Sequence, residues 1–75
     1  MNYEEMAYSL SYGEEYHFYY RNREYWISKN ENGSYLTEVI SGNTQKFRNS
    51  EELLRDARIE GHSILDIWEE IKNQF

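Results

Sequence analysis

Apolar side chains recur along this chain with two different periods, and the switches between them divide it into elements. Near the start, Tyr3, Met6, Ala7 and Leu10 fall at i, i+3, i+4 and i+7, the spacing that lines one face of a helix. Gly13 follows, and a residue tolerant of positive φ commonly closes a helix at such a position. Residues 15–29, EYHFYYRNREYWISK, are instead dense in aromatic and β-branched side chains on a period of two. The polar Arg21-Asn22-Arg23 interrupts them, which predicts a β-hairpin. In its first strand Tyr16, Phe18 and Tyr20 share one face and His17 and Tyr19 the other; in its second, Tyr25 and Ile27 alternate with Trp26 and Ser28. Both faces are aromatic, so alternation leaves open which of them is buried.

Asn30-Glu31-Asn32-Gly33 has turn chemistry, with Asn32-Gly33 suited to positive φ at both central positions. A third strand, SYLTEVI over 34–40, is expected next, then a turn at Ser41-Gly42-Asn43 and a short strand around Thr44 to Arg48. At Asn49 the period changes again. Asn49 with Glu52 predicts a capping box, and acids at 51 and 52 suit the helix dipole, so a helix is expected from about Glu51 to Arg58 with Gly61 as its break. Ser63 with Asp66 repeats the capping pattern ahead of ILDIWEEIKNQF, where Ile64, Ile67, Trp68, Ile71 and Phe75 make the clearest apolar stripe in the chain. The order predicts one α+β domain over 1–75: a three- to four-stranded antiparallel β-meander with a short N-terminal helix and two C-terminal helices packed on one face.

Size narrows what such a domain can rest on. A core built from 75 residues rarely leaves more than about 3–5 kcal/mol of net stability without a staple. There is no cysteine for a disulfide or thiolate zinc site, and two histidines are too few to replace one, so no cofactor or metal is expected. Dense aromatic packing, at 17% Phe, Trp and Tyr, is the remaining device.

Charge narrows the partners. The net charge of −6 disfavours duplex DNA and anionic lipid, whose recognition rests on Lys and Arg. The acids gather at the ends: residues 1–20 hold four and no base, whereas 21–48 hold five bases against three acids. No segment has the roughly 18 apolar residues of a membrane span, and MNYEEMAYSLSYG lacks the basic and apolar regions of a secretory signal, so a cytoplasmic location is expected.

Candidate chemistry is sparse. Glu14-Glu15, Glu51-Glu52 and Glu69-Glu70 are adjacent carboxylates, but neighbours point about 100° apart on a helix and to opposite faces on a strand, which suits solvated or capping acids better than an acid/base pair. His17 and His62 have no metal-ligand spacing, and the serines lie in no nucleophile motif, so an enzyme is not expected. Two surfaces remain. The aromatic strands offer His17, Tyr19, Arg21 and Trp26 as partner-binding residues, for a protein or, as the alternative, for single-stranded nucleic acid. The helices offer Glu51, Glu52, Glu69 and Glu70 as an acidic surface that would steer toward a basic partner. An uncovered aromatic face also leaves a homodimer open.

YWIS at 25–28, GSYLTE at 33–38, Phe47, SEELL at 50–54 and RIEGHSILDIW at 58–68 together resemble small acidic, mostly uncharacterised bacterial proteins of Firmicutes, their phages and mobile elements, over roughly residues 14 to 73. These are core and cap positions, so the resemblance implies a fold and assigns no site. In size, acidity and element order the chain is also similar to phage-encoded anti-CRISPR inhibitors and small immunity proteins, with no shared residue motif. The reading that follows is a small non-catalytic protein-binding module.

Overall fold

A computed structural model describes residues 1–75. The elements are α1 (Tyr3–Ser11), β1 (Tyr16–Tyr20), β2 (Arg23–Asn30), β3 (Gly33–Glu38), β4 (Thr44–Phe47), α2 (Ser50–Asp56) and α3 (Trp68–Ile71), which tightens into a 3-10 turn at Lys72–Gln74. The strands form one antiparallel meander in the order β1-β2-β3-β4 and the helices pack against it, so the fold is α+β.

Local chemistry sets the helix ends. At the start of α1, the Asn2 side chain accepts from the Glu5 N–H and the Glu5 carboxylate accepts from the Asn2 N–H, each at 2.8 Å. At its end Gly13 has φ +94°, and the N–H groups of Gly13 and Glu14 donate to the carbonyls of Leu10 and Ser9. This crossed pair satisfies two carbonyls that a helix terminus otherwise leaves unpaired. In α2 the Asn49 side chain accepts from the Glu52 N–H at 2.8 Å, but the Glu52 carboxylate reaches back to Arg48, to both its N–H and its guanidinium. The expected box is therefore formed in one direction only.

Several expected boundaries move. The pair of positive φ angles expected at Asn32-Gly33 occurs instead at Arg21 (+51°) and Asn22 (+66°), the two-residue loop joining Tyr20 to Arg23. The next turn is centred on Glu31-Asn32, where the Asn30 side chain accepts from the Asn32 N–H. Gly33 matters for another reason. A Cβ on it would lie 2.3 Å from the Phe47 carbonyl oxygen, so glycine lets β4 approach β3. β3 stops at Glu38, because the Glu38 N–H already pairs with the Asn43 carbonyl across the turn. Val39 and Ile40, expected in this strand, therefore fall outside it, and Ile40 is 91% exposed.

The C-terminal third departs furthest. α2 ends at Asp56 rather than Arg58, because Ala57 takes an extended conformation, and Gly61 breaks no helix. It lies instead in a tight turn, Glu60-Gly61, closed by mutual backbone bonds between Ile59 and His62. The Ser63–Asp66 cap forms reciprocally, yet 64–67 is only a turn and true α-helix is confined to Trp68–Ile71. The apolar stripe is nevertheless inside: Ile64, Ile67, Trp68 and Ile71 are buried and Phe75 packs on the core. Burial follows the side-chain period, while the backbone is wound by what the chain end must reach.

That end reaches the sheet. Phe75 lies 5.0 Å from Tyr16, 5.5 Å from Phe18 and 5.1 Å from Trp68, and Trp68 meets Tyr3 of α1 edge-on at 5.6 Å. Phe18 stacks in turn on Tyr25 across the β1–β2 pair. One aromatic cluster thus joins α1, α3, the C-terminus and two strands. The sheet face beneath the helices is the one bearing Phe18, Tyr20, Tyr25, Ile27 and Leu36, which answers the question that strand alternation left open.

Two stability outcomes are expected. Trp68→Ala removes the centre of the aromatic cluster and should cost about 3–5 kcal/mol, enough to unfold most of the population; equilibrium denaturation with near-wild-type stability would show that the C-terminus is not docked this way. Ser34 is buried with no hydrogen-bond partner for its hydroxyl. Ser34→Ala should therefore leave stability unchanged or raise it by up to about 1 kcal/mol, and a clear loss in the same assay would reveal a partner.

Candidate functional site

The face opposite the helices has no covering element. Strand pairing arranges it in rows: His17 beside Trp26, Trp26 beside Thr37 and Thr37 beside Thr44 form one, Ser28, Tyr35 and Lys46 the next, and Tyr19 with Glu24 a third. The His17 ring stacks on the Trp26 indole with centroids 5.4 Å apart and 12° between planes. His17 Nδ1 lies 3.0 Å from Glu24 Oε2, which fixes the imidazole against the indole. Tyr35 donates to the Asn30 side chain at 3.0 Å, and the hydroxyls of Thr37 and Thr44 pair at 3.0 Å. Tyr19 is 58% exposed. Most of the side chains on this face are thus held by a neighbour before any partner arrives.

Its electrostatics differ from those of the whole chain. Glu24 is the single carboxylate in these rows and is engaged by His17, while Lys46 is the single permanent cation. Rings, hydroxyls and one lysine make an amphipathic surface without strong charge.

The edge strand beside this face is also occupied. The Tyr19 N–H donates to Gln74 Oε1 at 2.6 Å and Gln74 Nε2 donates to the Tyr19 carbonyl at 2.8 Å. The side-chain amide takes the place of a neighbouring strand's peptide unit, which blunts β1 as a template for further pairing.

The eight expected partner-binding residues fall in several places. His17, Tyr19 and Trp26 come together on the open face, as the alternation allowed. Arg21 stands apart in the β1–β2 turn, with its guanidinium over the Tyr20 ring at 5.2 Å and 3.8 Å from Glu60. The acids divide between two helices, α2 packing on α1, β3 and β4, and α3 on β1. They are also interleaved with bases: Glu52 is engaged by Arg48 and Arg55, and Glu69 by Lys72 at 2.9 Å, leaving Glu51 and Glu70 as exposed acids outside any ion pair. The acidic helical surface is therefore broken by arginine and lysine.

Lys46 belongs to the open face, as do Tyr35 and Thr37, which were not singled out from the sequence. Their signal is the alternation of β3 and β4, which can be read only once the buried face of one strand is known. His17 does meet a carboxylate, but on a flat surface where the two side chains are 55% and 29% exposed. No cavity encloses them. His62 sits in the turn after α2, and no group of three or more His, Asp or Glu side chains converges as a metal site would require.

Four carboxyls are held below their usual range: Glu38 by the Ser41 hydroxyl and then Arg23, Glu52 by Arg48, Asp56 by Arg55, and Asp66 by the Ser63 N–H and hydroxyl. A carboxyl with a depressed folded-state pKa adds stability that is present above its ordinary range and lost as pH falls through the folded value. Stability should thus decline as pH is lowered from about 5 to about 3, read as the urea midpoint at each pH; a midpoint that holds or rises over this interval would contradict these contacts. No helix of the chain is long and apolar enough to cross a membrane. No protein-family model matches the chain, and neither a curated protein nor a solved structure matches it significantly.

Proposed function

We propose that this chain is a non-catalytic protein-binding module of the inhibitor or immunity type, working in the cytoplasm and docking its partner on the open aromatic face of the sheet. The observation that carries this reading is the uncovered face itself, on which His17 and Trp26 are stacked, flanked by Tyr19 and Tyr35 and braced by Glu24. Tyrosine and tryptophan give large contact area at small entropic cost, and rings already held by neighbours lose little freedom on binding. With one lysine in these rows and −6 on the chain, little attracts phosphates, which favours a protein over a nucleic acid.

A second reading has one observation in its favour. Stacked rings on a four-stranded antiparallel sheet, with Lys46 beside Tyr35, form the kind of platform on which unpaired bases stack. It requires binding that weakens steeply with salt.

The test compares three forms of the chain as bait in lysate of the source organism, with and without nuclease: wild type, Tyr19→Ala/Trp26→Ala, and Glu51→Lys/Glu70→Lys. A protein captured by wild type regardless of nuclease, lost with the face variant and kept with the helix variant, is the expected result. The face variant should weaken binding at least tenfold, because central aromatic anchors carry most of an interface's energy. Capture lost only with the helix variant would move the site to the acidic helices, and tight binding of short oligonucleotides at low salt would replace the protein reading with the second. Sedimentation of the purified chain over a concentration series shows whether the partner is a second copy.

A further inference from the structure

The helix-side face of the sheet is not fully covered. Arg23 and Glu38 fall on that face, the one in line with Tyr20 and the other with Tyr25, and the turn after α2 forms an opposite wall with Arg58 and Glu60. Between them lies a cleft of about 530 Å³, within the size range of small-molecule sites. It is separate from the open aromatic face.

Three guanidinium groups meet two carboxylates in this cleft, and neither ion pair is tight. Arg23 contacts both Glu38 oxygens at 3.3 Å, and Arg21 stays 3.8 Å from Glu60, beyond hydrogen-bond range. Arg58 has no carboxylate within ion-pair distance. One of its terminal nitrogens donates to the carbonyls of Arg55 and Ala57, which anchors the side chain and leaves its other donors free. A local excess of positive charge therefore stands in a chain that is acidic overall. Leu36 and Ile59, both buried, supply an apolar floor. The turn that presents Glu60 is also strained: Glu60 has φ +51°, a left-handed conformation that residues with a side chain seldom adopt. Such strain concentrates where a local arrangement is used.

We propose that this cleft binds a small organic anion, with its carboxylate or phosphate group on Arg58 and Arg21 and its apolar body against Leu36 and Ile59. Guanidinium suits either oxyanion, since its planar fork matches paired oxygens. The site is distinct from the partner-binding face and stands or falls independently of it.

The test follows arginine Nε–H and backbone resonances of the full chain by NMR while sodium pyrophosphate, or separately sodium citrate, replaces sodium chloride at constant ionic strength. Saturable shifts at Arg58 and Arg21, with a dissociation constant below about 1 mM for at least one probe, are expected. Pyrophosphate alone would assign a phosphate ligand, citrate alone a carboxylate. Arg58→Gln should weaken binding at least tenfold, and Arg48→Gln, outside the cleft, should not change it. Arg58 also holds the end of α2, so Arg21→Gln in the exposed hairpin turn gives a second reading, with a loss of fivefold or more expected. Shifts that do not saturate, that appear equally at Arg48, or that survive both cleft variants would overturn the proposal.

Discussion

The contact on which this fold depends is the meeting of the two chain ends over the sheet. Tyr3, near the N-terminus, and Phe75, at the C-terminus, close on Trp68, and Phe75 continues the cluster to Tyr16 and Phe18. A chain without cysteine has no disulfide to offset the entropy of ordering its ends, so burial must do it, and large rings bury most per residue ordered. The antiparallel meander supplies local pairing, but β1 and the C-terminus are far apart in sequence and are held together chiefly by these rings.

Amide side chains complete what the rings begin. Gln74 pairs with the Tyr19 backbone through both its donor and its acceptor, and Gln45 does the same with the N–H and carbonyl of Arg58. Each glutamine stands in for a peptide unit. One fastens the C-terminus to the outer edge of β1, and the other ties β4 to the segment leaving α2. Both anchor an irregular segment beside the sheet without lengthening it, so the covered and open faces remain distinct.

That separation also sorts the charge. Half of the acids lie on the helices, those of α2 and α3 mostly interleaved with bases, while the open face carries little charge and the cleft carries an excess of arginine. A net charge of −6 is therefore a poor guide to any one surface. A partner would meet rings and hydroxyls on one side of the sheet, and a small anion would meet guanidinium groups on the other.

The sequence by itself determined the element types and their order. The period of three to four in α1, the alternation in β1 and β2, and the caps at Asn49 and Ser63 are local, because they depend on residues within a few positions of one another. It also brought His17, Tyr19 and Trp26 to attention, but together with Arg21, which the fold places apart in the β1–β2 turn. It left open which strand face was buried, since Tyr16, Phe18 and Tyr20 differ little in pattern from His17 and Tyr19, and only the helices choose between them. Asn32-Gly33 looked like the positive-φ turn because the approach of Phe47 to Gly33 comes from β4, outside that segment. The stripe from Ile64 to Phe75 looked like one helix, yet only Trp68–Ile71 is α-helical and the end of the segment docks on β1 through Gln74 and Phe75, contacts that lie far away in sequence. The arginine cleft was invisible for the same reason: Arg21 and Arg23 share one hairpin, but Arg58 comes from the segment after α2, and only chain folding places it opposite them.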